Sequence, residues 1–205
     1  MQGYIININK VREEDLIVTI LGENHLYTTY RFYGARHSTI NIGYKIDFEL
    51  ETNVSNNIPR LKDVLHIGFH WIEEREKLYC WQRFIRLFYS HLKDVEILDQ
   101  YYKIFLDDLA HKLIRQNPKR AIIESYVELC EFEGRLHCDY ECLLCDGQIV
   151  SNISLVRSFL PTHSSCSYGY AFNISQIREL FDEKSLINFN KEELEYLWNL
   201  LLQGI

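Results

Sequence analysis

The apolar residues of this chain change period once, at Trp71, and that change limits what each part can fold into. Before it, Tyr4 to Ile8, Leu16 to Leu21, Leu26 to Phe32 and Tyr44 to Leu50 are short runs rich in β-branched and aromatic residues. The last run alternates Tyr44, Ile46, Phe48 and Leu50 with Lys45, Asp47, Glu49 and Glu51, the period of a half-buried strand. Gly22-Glu23-Asn24-His25 supplies turn chemistry between the second and third runs. A further strand around Leu65 to Phe69 would close a small antiparallel barrel within residues 1–70.

After Trp71, Leu78, Trp81, Ile85, Phe88 and Leu92 recur at steps of three and four, the seam of an amphipathic helix. Leu98, Tyr101, Phe105, Leu109 and Leu113 form a second such face. Asn117-Pro118 places a capping side chain before a proline at the first helical position, which predicts a third helix from Pro118 to Glu131. Residues 138–171 carry no helical period beyond a turn or two. Helices resume near Ser175 to Phe181 and at Asn190, where Glu193 three residues on suggests a capping box. The expected fold class is α+β: a barrel at 1–70, a helical bundle from 71–137 and 172–205, and an inserted module at 138–171.

That inserted stretch holds most of the chemistry. Cys142-Leu143-Leu144-Cys145 is a C-x2-C knuckle, and His163-Ser164-Ser165-Cys166 follows it as an H-x2-C. Two short-spaced pairs separated by a loop are how a chain supplies the four thiolate and imidazole ligands of a tetrahedral zinc site. So short a segment lacks the apolar surface to fold alone, and a structural Zn2+ held by Cys142, Cys145, His163 and Cys166 would supply on the order of 10 kcal/mol. Cys138 or His137, just upstream, could replace His163. Four protein ligands leave no position for water, which argues for a structural ion. Cys80 and Cys130 read as small core residues.

Charge constrains the partners. The net charge is −7, with seven Lys/Arg against eight acids in residues 1–70 and the remaining excess of six negative charges downstream. A polyanion is repelled by the average field of such a protein, so binding of nucleic acid requires local basic patches. No apolar stretch approaches the ~18 residues that span a bilayer, and the chain does not open with a basic segment and an apolar run. The expectation is a cytoplasmic protein, in whose reducing surroundings six cysteines serve as ligands or free thiols.

The strand segment contains Tyr33-Gly34-Ala35-Arg36-His37-Ser38, a helical region follows, and the Cys-x2-Cys with its second ligand pair is embedded in that region. In this order the features resemble the RecO family of bacterial recombination mediators. The resemblance implies an OB-fold for the barrel, a helical bundle, and a small zinc module. It implies binding of single-stranded DNA and strand annealing. With RecR it implies loading of RecA onto DNA coated by single-strand-binding protein, whose C-terminal tail would be a further partner. None of this is catalysis. The chain departs from the family pattern in having His163-x2-Cys166 as its second pair and in offering only Arg36 and His37 in a stretch that is usually more basic.

A small barrel can supply a groove with aromatic faces for bases and cations for phosphates. Lys10, Arg12, Arg31, Arg36, His37 and Lys45 are the candidate contacts there, with Tyr27, Tyr30, Phe32 and Tyr33 interleaved. Arg115, Lys119 and Arg120 cluster between the second and third helices. Arg115 also complements the end of a helix, whereas Lys119 and Arg120 stand in a first turn that disfavours cations. Arg115 or Arg120 could anchor the carboxylates of the acidic tail. Two other functions compete: an adaptor that binds repair proteins without touching DNA, and a Cys-His enzyme. The second would need an exposed, base-paired thiolate, yet every His-Cys neighbour pair lies in the metal-like stretch.

Overall fold

A computed structural model describes residues 1–52 and 58–205, in two compact units, Met1–Arg115 and Gln116–Ile205. The first unit opens with β1 (Gln2–Lys10), β2 (Leu16–Leu21), β3 (Leu26–Arg31), β4 (Lys45–Glu51) and β5 (Arg60–His66), which close into a barrel in the order β1-β2-β3-β5-β4. Its interior is filled by Ile5, Leu16, Val18, Ile20, Ile46, Phe48 and Leu61. These are alternate residues of each strand, as the period-two patterning requires.

Two details differ from the sequence reading. Four neighbouring pairs are antiparallel, but β3 and β5 meet in parallel, Tyr30 opposite Arg60. An odd number of strands cannot alternate direction all the way round a closed ring, so one pair must run parallel. The fifth strand also lies earlier than the expected Leu65 to Phe69. Asp63 adopts φ 46° and the β4–β5 register shifts beside it, so a bulge breaks the alternation that would have marked the strand.

Two helices complete this unit, α1 (Arg75–Leu92) and α2 (Tyr101–Lys112). α1 buries Trp81, Ile85, Phe88 and Leu92 of the expected seam together with Cys80 and Phe84, while Leu78 is half-buried. The Trp81 indole donates to the Gly43 carbonyl at 2.8 Å and crosses the Tyr4 ring edge-on. A side chain at Gly43 would strike that indole, its Cβ 2.4 Å from Nε1, and φ there is +84°, so glycine is required on both counts. Trp71 donates to the Ala110 carbonyl at 2.8 Å, anchoring α2.

The second unit holds α3 (Pro118–Phe132), β6 (Asn152–Val156), β7 (Leu160–Thr162), the one-turn α4 (Ser164–Ser167), β8 (Phe172–Asn173), α5 (Ile174–Glu183) and α6 (Lys191–Leu201). Asn117 caps α3 through the amides of Lys119 and Arg120, and both Asn173 and Asn190 form capping boxes. Residues 138–171, without helical period, instead contribute β6 and β7 to a three-stranded sheet in the order β7-β6-β8. Ile153 and Leu155 are buried beneath it. Its strands have two to five residues each, too short for a sequence period to register.

Candidate nucleic-acid interface and metal centre

At the end of β3 the chain exposes two aromatic rings in succession, Phe32 at 43% and Tyr33 at 58%. The loop that follows is built from the Tyr33-Gly34-Ala35-Arg36 stretch, which makes a 3-10 turn over Gly34–Arg36. Gly34 is buried, and a Cβ there would lie 2.8 Å from Leu16 Cδ1, so the loop approaches the barrel as only glycine allows. Asp15 fastens it. Its carboxylate accepts from the Tyr30 hydroxyl at 2.6 Å and the Tyr33 amide at 2.9 Å, and these bonds, aided by Arg12, hold the carboxyl below its ordinary range.

Cations lie on both exposed rings. The Arg36 guanidinium stands 5.2 Å from the Tyr33 centroid, and that of Arg60 is 4.9 Å from the Phe32 centroid. Arg36 also pairs with Glu14 at 2.6 Å. Arg31 donates to the Leu61 carbonyl at 2.8 Å, and the Nε atoms of Arg31 and Arg60 have no protein partner among the described residues. Lys10, Arg12 and His37 are exposed. Of the four aromatic residues considered from the sequence, Tyr27 packs against Phe48 and Tyr30 is tied to Asp15, so Phe32 and Tyr33 alone offer open faces. Arg60 was not among the sequence candidates. Its place beside Phe32 follows from the β3–β5 pairing across the barrel, which no local pattern announces.

Three of the expected DNA contacts have partners within the protein. Lys45 donates to Asp107 at 2.6 Å with its side chain only 15% exposed. Lys119 forms a two-pronged pair with Glu195 at 2.5 and 2.6 Å. Arg120 donates to the carbonyls of Leu186 and Phe189, capping the chain before α6. Each of these cations would have to leave a part-buried protein partner to meet a phosphate, as Arg36, more exposed, would have to leave Glu14. Arg115 is exposed at the end of the first unit.

The cysteine pairs meet in the second unit. The ligand atoms of Cys142, Cys145, His163 and Cys166 all lie within 4.8 Å of one another, a group that could hold a metal ion. Neither His137 nor Cys138 belongs to it. The knuckle is a tight hairpin: Cys142 and Gly147 pair at 2.9 Å, the Asp146 amide donates to the Cys142 carbonyl at 2.8 Å, and Asp146 takes φ 56°. The second pair is set by α4, in which the Cys166 amide donates to the His163 carbonyl at 3.0 Å.

The donor chemistry fits a thiophilic ion. His163 turns Nδ1 toward the thiols, 3.3 Å from Cys145 Sγ, while Nε2 lies 3.2 Å from the Gln148 carbonyl. That contact suits an Nε2–H donor, leaving Nδ1 free as a ligand, the arrangement that orients metal-binding imidazoles. Burial pushes the Cys142 thiol up, but amide donors from His163, Leu144 and Cys145 outweigh it and bring the group down to about 6, toward the thiolate a metal requires. Cys166 moves the other way, raised by burial and by the neighbouring sulfurs, as crowding of thiolates without a cation demands.

Residues 1–72 match the family model described as RecO N terminal. No curated protein matches the chain. The match spans the barrel and ends at the approach to α1. No described helix is long and apolar enough to cross a membrane.

Proposed function

We propose, on the premise that this chain is a RecO-family protein by its N-terminal domain, that it is a recombination mediator which binds single-stranded DNA through the barrel. The match of residues 1–72 to the RecO N-terminal model supports a role in DNA repair and recombination, and we read that role as mediation rather than catalysis. The observation that carries the reading is the pair of exposed rings, Phe32 and Tyr33, each with a guanidinium over it. Unpaired bases stack on such faces while adjacent cations meet the phosphates. Lys10, Arg12, Arg31, Arg36, His37 and Arg60 are the cations we assign to this surface. The same reading extends to annealing and, with RecR, to loading RecA in the cytoplasm on DNA coated by single-strand-binding protein. Arg115 is the residue left to meet that protein's acidic tail.

Cys142, Cys145, His163 and Cys166 would hold a Zn2+ whose contribution is to join α4 to the knuckle and so stabilise residues 138–171. The net charge of −7 favours one other reading, an adaptor that binds repair proteins alone. Anisotropy of a labelled single strand, titrated with the intact protein over a salt series and with duplex as competitor, separates the two. Salt-sensitive binding that prefers the single strand is expected. Absence of binding at every salt concentration would leave the adaptor.

A further inference from the structure

The solvent face of α1 carries a second basic surface. Arg75, Tyr79, Arg83, Arg86, Ser90 and Lys93 follow one another at steps of four, four, three, four and three, and all six are exposed. At 100° per residue they fall within an arc of roughly 80°, opposite the buried seam, along about 27 Å of helix. Glu76 borders the arc at one edge and no acidic residue lies within it.

The ridge also differs from six lysines elsewhere in the chain. Lys45, Lys62, Lys77, Lys103, Lys119 and Lys184 each stand within ion-pair distance of a carboxylate. Among the described residues no such pair involves Arg75, Arg83, Arg86 or Lys93. Four unpaired cations on one helix face of a protein with net charge −7 concentrate positive potential where a polyanion can reach it. Tyr79 adds a stacking surface. It is 56% exposed, and the Arg83 guanidinium lies 5.2 Å from its centroid while donating to its hydroxyl at 2.8 Å. A tyrosine and an arginine laid together in this way serve an unpaired base, not one enclosed in a duplex.

We infer that this ridge, Arg75-Tyr79-Arg83-Arg86-Lys93, is a second surface for single-stranded nucleic acid, separate from the barrel's aromatic loop. The inference rests on the proposed reading that the chain binds single strands. It would give the proposed annealing a physical basis, since bringing two strands together requires a surface for each.

The test is anisotropy of a labelled 30-nucleotide oligo-dT titrated with three forms of the full chain across a salt series: the wild type, the ridge variant R75Q/R83Q/R86Q/K93Q and the barrel variant F32A/R36Q/R60Q. Each phosphate neutralised on a single strand contributes roughly 0.7 to the slope of log affinity against log salt, so the ridge variant should lose a slope of roughly 2 to 3. R86Q/K93Q is the milder variant and should lose about half of that. Thermal melts confirm that each remains folded. Y79A should weaken binding several-fold with the slope unchanged. A ridge variant that keeps the wild-type slope would overturn the ridge while leaving the barrel reading intact, and so would duplex competing equally with the single strand at the ridge. Loss of slope in the ridge variant with no effect in the barrel variant would support the ridge and overturn the barrel reading. A wild type that binds no strand would overturn both.

Discussion

The Lys45 ammonium on β4 lies 2.6 Å from the Asp107 Oδ1 on α2, and the Tyr4 hydroxyl of β1 donates to the same oxygen at 2.6 Å. Lys103 stands 3.7 Å from the other carboxylate oxygen. One carboxylate thus fastens a helix to two strands. Burial disfavours its charge, but the bonds from Lys45 and Tyr4 win and hold the carboxyl below its ordinary range. The same carboxylate, after burial, pushes the Tyr4 hydroxyl far up, so tyrosine remains the donor at all ordinary pH.

Replacing Lys45 by Gln therefore leaves Asp107 half-buried and short of its cation. The expected cost is about 1 to 3 kcal/mol of stability in the first unit, the range for hydrogen bonds to charged groups. Single-strand affinity should change little, because Lys45 faces Asp107 and not solvent. A chemical-denaturation curve and a strand titration on K45Q read the two effects separately. A large loss of affinity in a variant of normal stability would return Lys45 to the DNA surface.

Acid should loosen this unit in two stages. His66 stacks on Tyr44 with ring centroids 4.2 Å apart, and burial lowers its pKa. The unfolded chain therefore takes up this proton first, so stability present above the ordinary histidine pKa is lost as pH falls through the depressed value. Asp107 obeys the same sign lower down: its contribution is whole above the unfolded carboxylate pKa and disappears as pH falls through the folded one. Melting curves from pH 8 to 3 should show an early decline that H66F removes and a later one that D107N removes. Identical early declines in wild type and H66F would exclude His66 as its source.

Substituting Phe32 by Ala should weaken binding of an oligo-dT strand by roughly five- to 150-fold, since stacking of one base contributes about 1 to 3 kcal/mol. R36Q and R60Q should each flatten the salt dependence without abolishing binding. Phe32 is exposed, so the melting temperature of F32A should match that of the wild type. Unchanged affinity in F32A would show that bases do not stack there.

Metal analysis of purified protein should find one zinc per chain. Its removal by a strong chelator, or C145S, should lower the melting transition of residues 116–205 and leave single-strand binding by the barrel intact. Equal heat stability with and without metal would reject a structural role for the ion.

The elements themselves were legible because their signals are short-range. Period two across Tyr44 to Leu50, steps of three and four from Leu78 to Leu92, and Asn117 and Asn190 at helix starts all act within a few residues of the backbone they shape. The metal-ligand spacing was legible for a similar reason: each pair is held by its own turn, the knuckle for Cys142 and Cys145 and α4 for His163 and Cys166. Meeting of the two pairs was an inference from chemistry.

The use made of each cation was not legible. Lys45 finds Asp107 62 residues away, Lys119 finds Glu195 across 76, and Arg60 reaches Phe32 only because an odd-stranded barrel closes with β5 beside β3. A lysine carries the same charge and helix or strand preference whether solvent or a carboxylate faces it, so nothing local distinguishes an internal tie from a phosphate contact. The sequence by itself determined the first four barrel strands, the long helices and the two short-spaced pairs that could hold a metal ion, because hydrophobic period, capping and turn chemistry are local. Tertiary structure alone decided which charges are spent inside and which rings stay open, because those depend on packing between segments far apart in the chain.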